Sequence, residues 1–455
     1  MQVAERGGVM NKKILQGVYI GIIVLLAVAC ISSPSFAALQ YEQAYASSGG
    51  TYKILIVVKD SLYSSIQSSL NQYYADLESE QYNITTIKYI SGTAEELKAH
   101  LKSINNLEGV VFIGDLPYAT FEIAQDFTYG YTSFPIDLFY MDLTGEWLDT
   151  DNNGKYDTHN KGNGYLVPDI WLARLTASTV IYVDMDEAAL LRNYFAKNHS
   201  FRNGQLPIQK RALAYPDDDW SGSGNCSLNL AYANVTTIND QATTNATDYK
   251  NRLRENYEWV HVCVHSSSAS HVFSIPTGSG GSVVYSDIKT LDPTVLFYNL
   301  FACSNCRYTS SNYMGGHYIF ARTYGLAAVG STKTGSMLSF NKFYEPLGPV
   351  YKNNLGEAFR AWFSSQDLSN ASNRSWFYGM TLLGDPTLRL YPKTGTDVIG
   401  DLNSDGSVTS ADVTRCVNSI VRLETNPYII KKADVNNDGA ADARDVTRII
   451  NIILP

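Results

Sequence analysis

The sequence predicts an α/β fold with mainly parallel sheets for residues 50–392, followed by a small all-α calcium-binding domain at residues 398–455. The first part is predicted because short, continuously apolar segments alternate with helical segments, as in strands that are buried on both faces of a sheet. The second part is predicted from a loop-and-helix pattern that begins at Asp401 and is repeated at Asp434.

The predicted elements follow one another along the large domain, which we divide into an N-terminal α/β subdomain (residues 50–205) and a C-terminal catalytic α/β subdomain (residues 206–392). The predicted strands are 52–58, 85–90, 109–113, 135–141, 170–175, 211–215, 259–264, 295–301 and 326–329. The predicted helices are 61–77, 94–104, 249–255, 315–323 and 355–363. Residues 393–397 read as a linker.

Residues 1–37 have the pattern of a signal peptide, with a possible natural start at Met10. Two lysines precede the apolar run 18–29, and Ala37 ends a small-residue cleavage site. The run is short for a membrane span, so we expect cleavage and export to the cell exterior, without a stable membrane span. The alternative is a lipid anchor on Cys30.

Composition restricts the partners. The chain has 455 residues and a hydrophobic content of 45%. Its net charge of −9 argues against nucleic acid as a partner. Five cysteines follow the predicted signal peptide, at positions 226, 263, 303, 306 and 416. This sparse, odd set does not indicate a disulfide framework.

The C-terminal repeat has an offset of 434 − 401 = 33 residues. Its oxygen-bearing residues occur where a calcium loop has its ligands, at loop positions 1, 3, 5, 7 (through the backbone carbonyl) and 12. The alternative is a pair of Asx-rich surface turns. The predicted calcium ligands are Asp401, Asn403, Asp405, Ser407 and Asp412 in the first loop, and Asp434, Asn436, Asp438, Ala440 and Asp445 in the second.

Each loop is followed by an apolar helical stripe, and we expect the two helices to pack together. The stripes are Val413, Val417, Ile420 and Val421 in the first unit and Val446, Ile449, Ile450 and Ile453 in the second. This pair of loop–helix units resembles a type I dockerin over residues 398–455. The resemblance implies calcium-dependent folding and binding to a cohesin module on a scaffold protein. It also implies that the cohesin-reading side chains are Ser410, Ala411, Ala443 and Arg444.

Two predicted strands of the large domain end in chemically active side chains, His265 and Cys303. The carboxyl ends of parallel strands carry the chemistry of such sheets. An imidazole can take the proton of a thiol, whose thiolate then attacks a carbonyl carbon. Backbone N–H groups of Ser266 and Cys303 would stabilise the resulting oxyanion.

An apolar strand ending in histidine, followed 303 − 265 = 38 residues later by one ending in Ala-Cys, resembles the caspase–gingipain clan. Residues 50–392 resemble the gingipain family, with supporting stretches at 113–117, 167–174, 325–332 and 379–388. The resemblance implies a caspase-like fold of two α/β subdomains and cysteine endopeptidase activity on proteins or peptides. In this reading His265 is the general base and Cys303 the nucleophile, and Ser266 and Cys306 replace glycines usual in the family.

Other interpretations remain open at this point. The chain could be a catalytically inactive binding or structural module of a scaffolded assembly, or a thiol oxidoreductase that uses Cys303 and Cys306. A zinc site at these cysteines would need further ligands such as His261 and His265. We expect Cys226, Cys263 and His261 to be core residues, and His271 and His317 to lie in loops or at the surface.

A further calcium loop is predicted inside the large domain. Its ligands would be Asp149, Asp151, Asn153, Lys155 (through its carbonyl) and Asp157, although Asn160 stands at the twelfth position. Gingipain relatives hold structural calcium, which fits this interpretation. The alternative is an Asx-rich loop without an ion.

Overall fold

The computed structural model of the chain describes residues 39–392, 400–402, 407–424, 432–436 and 440–454. The predicted signal peptide (1–37) and the predicted linker (393–397) lie outside the described residues, as do the predicted calcium ligands Asn403, Asp405 and Asp438.

The large domain is organised around one sheet of 11 strands, with smaller hairpin sheets beside it. The strands are β1 (Gln40–Ala46), β2 (Tyr52–Lys59), β3 (Tyr82–Ser91), β4 (Gly109–Ile113), β5 (Thr120–Ile123), β6 (Thr132–Pro135), β7 (Glu146–Leu148), β8 (Thr158–Asn160), β9 (Trp171–Leu175), β10 (Ala212–Pro216), β11 (Val235–Thr237), β12 (Tyr257–Cys263), β13 (His265–Ser266), β14 (Ser270–Ile275), β15 (Gly278–Val284), β16 (Val295–Phe301), β17 (Ala327–Ser331) and β18 (Met380–Gly384).

The large sheet confirms the predicted mainly parallel α/β fold. Its strand order is β1-β3-β2-β4-β9-β18-β17-β16-β12-β10-β11. All neighbouring pairs are parallel except β1–β3 and β17–β18. Strands from both predicted subdomains therefore form one continuous sheet, in which β18 joins the two halves.

Helices accompany the sheet and complete the chain. They are α1 (Asp60–Ser79), α2 (Ala94–Ser103), α3 (Leu138–Met141), α4 (Glu187–Arg202), α5 (Ala246–Arg252), α6 (Tyr285–Leu291), α7 (Met314–Ile319), α8 (Asn341–Leu347), α9 (Leu355–Ser364), α10 (Ala371–Phe377), α11 (Ser410–Ile420) and α12 (Ala443–Ile453). None of the described helices is long and apolar enough to cross a membrane.

Two local predictions are wrong or incomplete. The predicted strand 135–141 is in fact the end of β6 followed by the short helix α3. The sequence reading also missed α4, because Lys197 and Asn198 are buried in it and interrupt its apolar stripe. The Lys197 Nζ donates to the carbonyls of Ile319 and Tyr324, at 3.1 and 2.5 Å, so its polar group is satisfied inside the core.

The C-terminal domain is helical in its described part, as predicted. Side chains of α11 and α12 pack together around Cys416 and Ile449, with Val413, Ile420, Val446 and Ile453 beside them. Three residues of the predicted apolar stripes are instead exposed: Val417, Val421 and Ile450. The two helices thus bury one shared face and leave apolar side chains toward solvent.

Candidate active site

Strands β12 and β16 bring the predicted pair of side chains to neighbouring strand ends. They are parallel, and Cys263 lies opposite Phe301 in their register. Two residues after the end of β12 comes His265, and two residues after the end of β16 comes Cys303. The Ser266 hydroxyl then donates to the Cys303 carbonyl oxygen at 2.6 Å, which ties the two strand ends directly to each other.

His265 lies just beyond the end of β12, in the two-residue strand β13 of a three-stranded sheet. Its Nε2 is 3.2 Å from the Asp219 Oδ2, and its ring contacts that of Trp220 at a centroid distance of 4.6 Å. The imidazole side chain is 50% exposed, so it is accessible to a substrate while a carboxylate and an indole fix its orientation.

Asp219 is a site residue that sequence reasoning missed. Strand β10 pairs with β12 and is followed by an Asp217-Asp218-Asp219 run. The available signal was the position of these carboxylates after a third parallel strand, where site residues of α/β sheets gather. The run could not be assigned from sequence because the order of β10 beside β12 was not known.

Cys303 is partly exposed and is followed by a tight turn. Ser304 has a left-handed φ of 59°, and its N–H donates to the Lys333 carbonyl at 2.8 Å. A left-handed non-glycine residue is held only where surrounding contacts require it. These contacts therefore hold the chain in a turn directly after the thiol.

Lys333 contributes a buried positive charge near this thiol. Its Nζ is 2.8 Å from the Asp126 Oδ2 and 2.6 Å from the Ser375 carbonyl. Burial lowers the pKa of Lys333, and the charges of Asp126 and Cys303 act in the opposite direction. Lys333 is therefore a second residue near the thiol that the sequence did not reveal.

The backbone N–H of Ser266 is not used in the hydrogen bonding between β13 and β14. Ser267 N–H donates to the Ser270 carbonyl at 2.9 Å, and Ser266 pairs with His271 across the hairpin. Antiparallel pairs alternate between hydrogen-bonded and open, so the Ser266 N–H points away from β14. Ser266 is not among the residues with positive φ, so this position does not need glycine.

Cys306 is a packed core residue. It is fully buried, its N–H donates to the Ser331 carbonyl at 3.0 Å, and burial raises the pKa of its thiol. A Cβ added to Gly315 or Gly330 would lie 2.7 or 2.5 Å from the Cys306 Sγ. The thiol thus occupies space that these two glycines leave open, and its burial disfavours a redox role with Cys303.

This packing predicts that Gly330→Ala destabilises the protein by about 1–3 kcal/mol, because the new methyl group overlaps the Cys306 Sγ. Adding Cys306→Ala should recover part of that loss, giving a measurable coupling in a double-mutant cycle followed by urea unfolding. Gly49→Ala is the matched control, because its Cβ would meet nothing within 4 Å. Additive effects of the two substitutions would contradict the overlap.

Two further cysteines and three further histidines of the large domain are interior: Cys226, Cys263, His261, His271 and His317. Cys226, Cys263 and His261 are buried, as predicted. The expectation of loop or surface positions for His271 and His317 is wrong, because both are fully buried. His271 lies on β14 with its Nε2 3.1 Å from the Tyr318 hydroxyl, and the His317 Nε2 is 3.1 Å from the Asn312 Oδ1.

These two histidines predict a loss of stability in acid. Burial lowers the pKa of His271 to about 3; burial and the Lys289 charge lower that of His317 to about 4. The unfolded chain, with a histidine pKa of about 6.5, binds more protons from pH about 6.5 downward. The free energy of unfolding should therefore fall by up to about 1.4 kcal/mol per pH unit for each histidine.

Urea unfolding at about pH 7, 6 and 5 measures how the free energy of unfolding depends on pH. These pH values span about the titration range of histidine in the unfolded chain. His317→Gln removes one of the two groups and should reduce the slope by that group's share, and an unchanged slope would contradict the assignment. The comparison of the two slopes separates His317 from all other titrating groups.

The predicted calcium loop that begins at Asp149 is joined by an acidic residue from strand β5. Carboxylate oxygens of Glu122 on β5, Asp151 and Asp157 all lie within 4.8 Å of one another. Asp149 instead accepts the N–H groups of Asn153 and Gly154, at 3.1 and 2.8 Å. Glu122 precedes Asp149 by too many residues for a calcium-loop motif to include it.

The rest of this loop has identifiable partners. The Lys155 Nζ is 3.4 Å from the Glu122 Oε2, and the Asn153 Nδ2 donates to the Asp151 Oδ2 at 2.9 Å. The acidic cluster lines a cavity of about 820 Å³ that also contacts Arg374. Acceptor-only carboxylates at this spacing are suited to a hard cation.

In the C-terminal domain, the two predicted calcium loops have matching local geometry. The Asp412 oxygens accept the N–H groups of Leu402 and Thr409, both at 2.8 Å. The Asp445 oxygens accept those of Asn436 and Asp442, both at 2.9 Å.

The donor set of these loops fits calcium. Asp412 and Asp445 are fully buried, and Asp401 is almost so. Buried carboxylates require a positive partner, and calcium takes oxygen ligands. Ser407, Asp434 and Ala440 are among the described residues beside them, and the predicted cohesin-reading residues Ser410, Ala411, Ala443 and Arg444 are exposed at the starts of α11 and α12.

A mainly parallel sheet with histidine and cysteine at adjacent strand ends is the arrangement of a cysteine peptidase. The sequence profile described as Peptidase family C25 matches residues 47–391, and the chain belongs to this family. A second profile, the Dockerin type I domain, matches residues 399–454. Both resemblances that the sequence suggested are thereby confirmed.

Solved structures with a similar fold agree. The chain is similar to the protein in the crystal structure of the Arg specific cysteine proteinase gingipain R (RGPB), with 13% sequence identity and a TM-score of 0.51. The alignment covers 75% of this chain and 79% of that chain. The complex of Porphyromonas gingivalis RgpB pro- and mature domains is 14% identical, with a TM-score of 0.51, covering 74% and 79%. No curated protein sequence matches the chain.

Proposed function

We propose that this chain is an exported cysteine endopeptidase that hydrolyses peptide bonds with Cys303 and His265 and is held on a scaffold by its dockerin. The observation that carries the proposal is the tie between the two strand ends, where Ser266 bonds the Cys303 carbonyl at 2.6 Å. Family membership and the exposure of His265 support it. The inactive-module alternative has no comparable support.

In the proposed reaction, His265 accepts the Cys303 proton and the thiolate attacks the substrate carbonyl carbon. Ser266 and Cys303 N–H groups stabilise the oxyanion of the tetrahedral intermediate. His265 then protonates the leaving amine, and water releases the acyl group from sulfur. Asp219 orients the imidazole through its contact with Nε2.

A labelling experiment tests this assignment. The full chain, with calcium and a reductant, is incubated with a mixed peptide library before and after brief treatment with iodoacetamide. We expect cleavage that alkylation abolishes, with the modification mapped by mass spectrometry to Cys303. Buried Cys306 is the internal control and should remain unmodified. Cleavage that survives complete alkylation of Cys303 would overturn the proposal.

The dockerin would carry the enzyme to a cohesin module outside the cell. Calcium would be bound by the oxygens of Asp401, Asp412 and Asp445 with the rest of each loop, and its role when bound is to hold loop and helix together. The exposed residues Ser410, Ala411, Ala443 and Arg444 would then face the cohesin. The second cation site, at Glu122, Asp151 and Asp157, would be structural.

Calcium removal should therefore loosen the dockerin selectively. Chelation of the full chain is expected to abolish hydrogen-exchange protection in α11 and α12 and to eliminate binding to a type I cohesin, because buried Asp412 and Asp445 lose their counter-ion. Helices α1 and α9 are internal controls and should keep their protection. Equal protection of α11 and α12 with and without calcium would contradict this role.

A further inference from the structure

A second cluster of sulfur and imidazole groups lies inside the protein, on β12 and the loop after β10, before the chain reaches His265. His261 and Cys263 alternate along β12 and so share one face of the sheet. Cys226 approaches them from the loop after β10. All three are at most 1% exposed, and their ligand atoms lie within 4.8 Å of one another.

The imidazole of His261 has one satisfied and one unsatisfied nitrogen. Its Nδ1 is 2.8 Å from the Tyr344 hydroxyl, whereas Nε2 is buried and has no hydrogen-bond partner among the described residues. A buried polar atom left in this way destabilises the folded protein. A histidine that binds a metal commonly uses its other nitrogen for such an oxygen contact.

The sulfur separation fits a bridging ion better than a covalent bond. The Cys226 and Cys263 Sγ atoms are 3.9 Å apart, whereas a disulfide requires about 2.05 Å. Two sulfurs bound at about 2.3 Å to a tetrahedral zinc ion lie about 3.8 Å apart. Zinc also matches the charge, because two thiolates and a neutral imidazole around Zn²⁺ give a net charge of zero in a buried site.

We propose that Cys226, His261 and Cys263 form a binding site for zinc, with a neutral water molecule as the fourth ligand of the tetrahedron, separate from the peptidase centre and from the calcium loops. Binding converts both thiols to thiolates and releases two protons to solvent, with no redox change. Cys226 and Ser227 have consecutive left-handed φ angles of 51° and 61°. The ion would hold this strained loop, which also carries Asp219 and Trp220, against β12.

Metal content of the full chain tests the site. The protein is refolded with zinc, and in parallel with cobalt(II), and is then freed of loosely bound ions. We expect about one zinc ion per chain, and thiolate-to-cobalt charge-transfer bands together with the visible bands of tetrahedral cobalt. Cys226→Ala and Cys263→Ala should each lose the zinc and the charge-transfer signal of a two-thiolate site.

Matched variants exclude the other thiols. Cys306→Ala removes a thiol that is equally buried, and Cys303→Ala removes the thiol of the peptidase centre; both should keep the zinc. Retention of zinc in Cys226→Ala would overturn the proposal. So would wild-type protein that lacks the cobalt bands, or that contains a Cys226–Cys263 disulfide by mass spectrometry, and these two results do not depend on any variant folding.

Discussion

Cys303→Ala should reduce peptide cleavage by about 10³-fold or more, because without the sulfur no acyl-enzyme can form. The fold should be preserved, since Cys303 is partly exposed and alanine removes only the thiol. The measurement is kcat/KM on a peptide selected from the library, with thermal unfolding as the check on the fold.

Cys306→Ala is the matched control, three residues away on the same turn. Because Cys306 is buried and packs against Gly315 and Gly330, its loss should lower stability through a small cavity while leaving kcat/KM within a few-fold. Equal losses of activity in both variants would favour the oxidoreductase interpretation over a single nucleophile. Full activity in Cys303→Ala would overturn the peptidase assignment.

The proposed nucleophile and the proposed base could be singled out in the sequence because their signal is local. An apolar strand that ends in His265 or Cys303 reveals both the element and the side chain at its tip. The supporting residues carry no such signal. Asp219 follows a third strand, β10, and Lys333 follows a fourth, β17. Their approach therefore depends on the order β17-β16-β12-β10, which the sequence does not encode in any short stretch.

The same distinction applies to the fold. Strands such as β4 and β16 are fully buried and were predicted from their unbroken apolar runs. Helix α4 was missed because its buried face contains Lys197 and Asn198, whose side-chain nitrogens donate to residues far away in the sequence, Ile319 and Asp385. Burial of His271 was missed for the same reason, because its ring contacts the Tyr318 hydroxyl, 47 residues away in the sequence. His317 contacts Asn312, which is close in the sequence, but its burial depends on how α7 packs.

Asp385 is a buried carboxylate at the end of β18, where both halves of the large domain meet. It accepts hydrogen bonds from the Tyr73 hydroxyl at 2.8 Å, the Asn198 Nδ2 at 2.7 Å and the Arg202 Nη2 at 2.7 Å. Burial acts to raise the pKa of Asp385, but Arg202 and Thr387 outweigh it and the pKa is lowered. The carboxylate thus stabilises the fold at neutral pH, and this contribution is lost in acid as pH falls through its lowered pKa.

Asp385→Ala should consequently destabilise the protein by about 3–5 kcal/mol, because it leaves a buried Arg202 without its main counter-charge. The measurement is the free energy of unfolding in urea at pH 7. Asp115→Ala is the matched control, because Asp115 also follows a glycine at a strand end. Its side chain, however, is 61% exposed, and its ion pair with Lys59 is long, with 3.9 Å between the Lys59 Nζ and the Asp115 Oδ2. Exposed ion pairs contribute little, so equal effects of the two substitutions would contradict the proposed role of Asp385 in joining α1, α4 and β18.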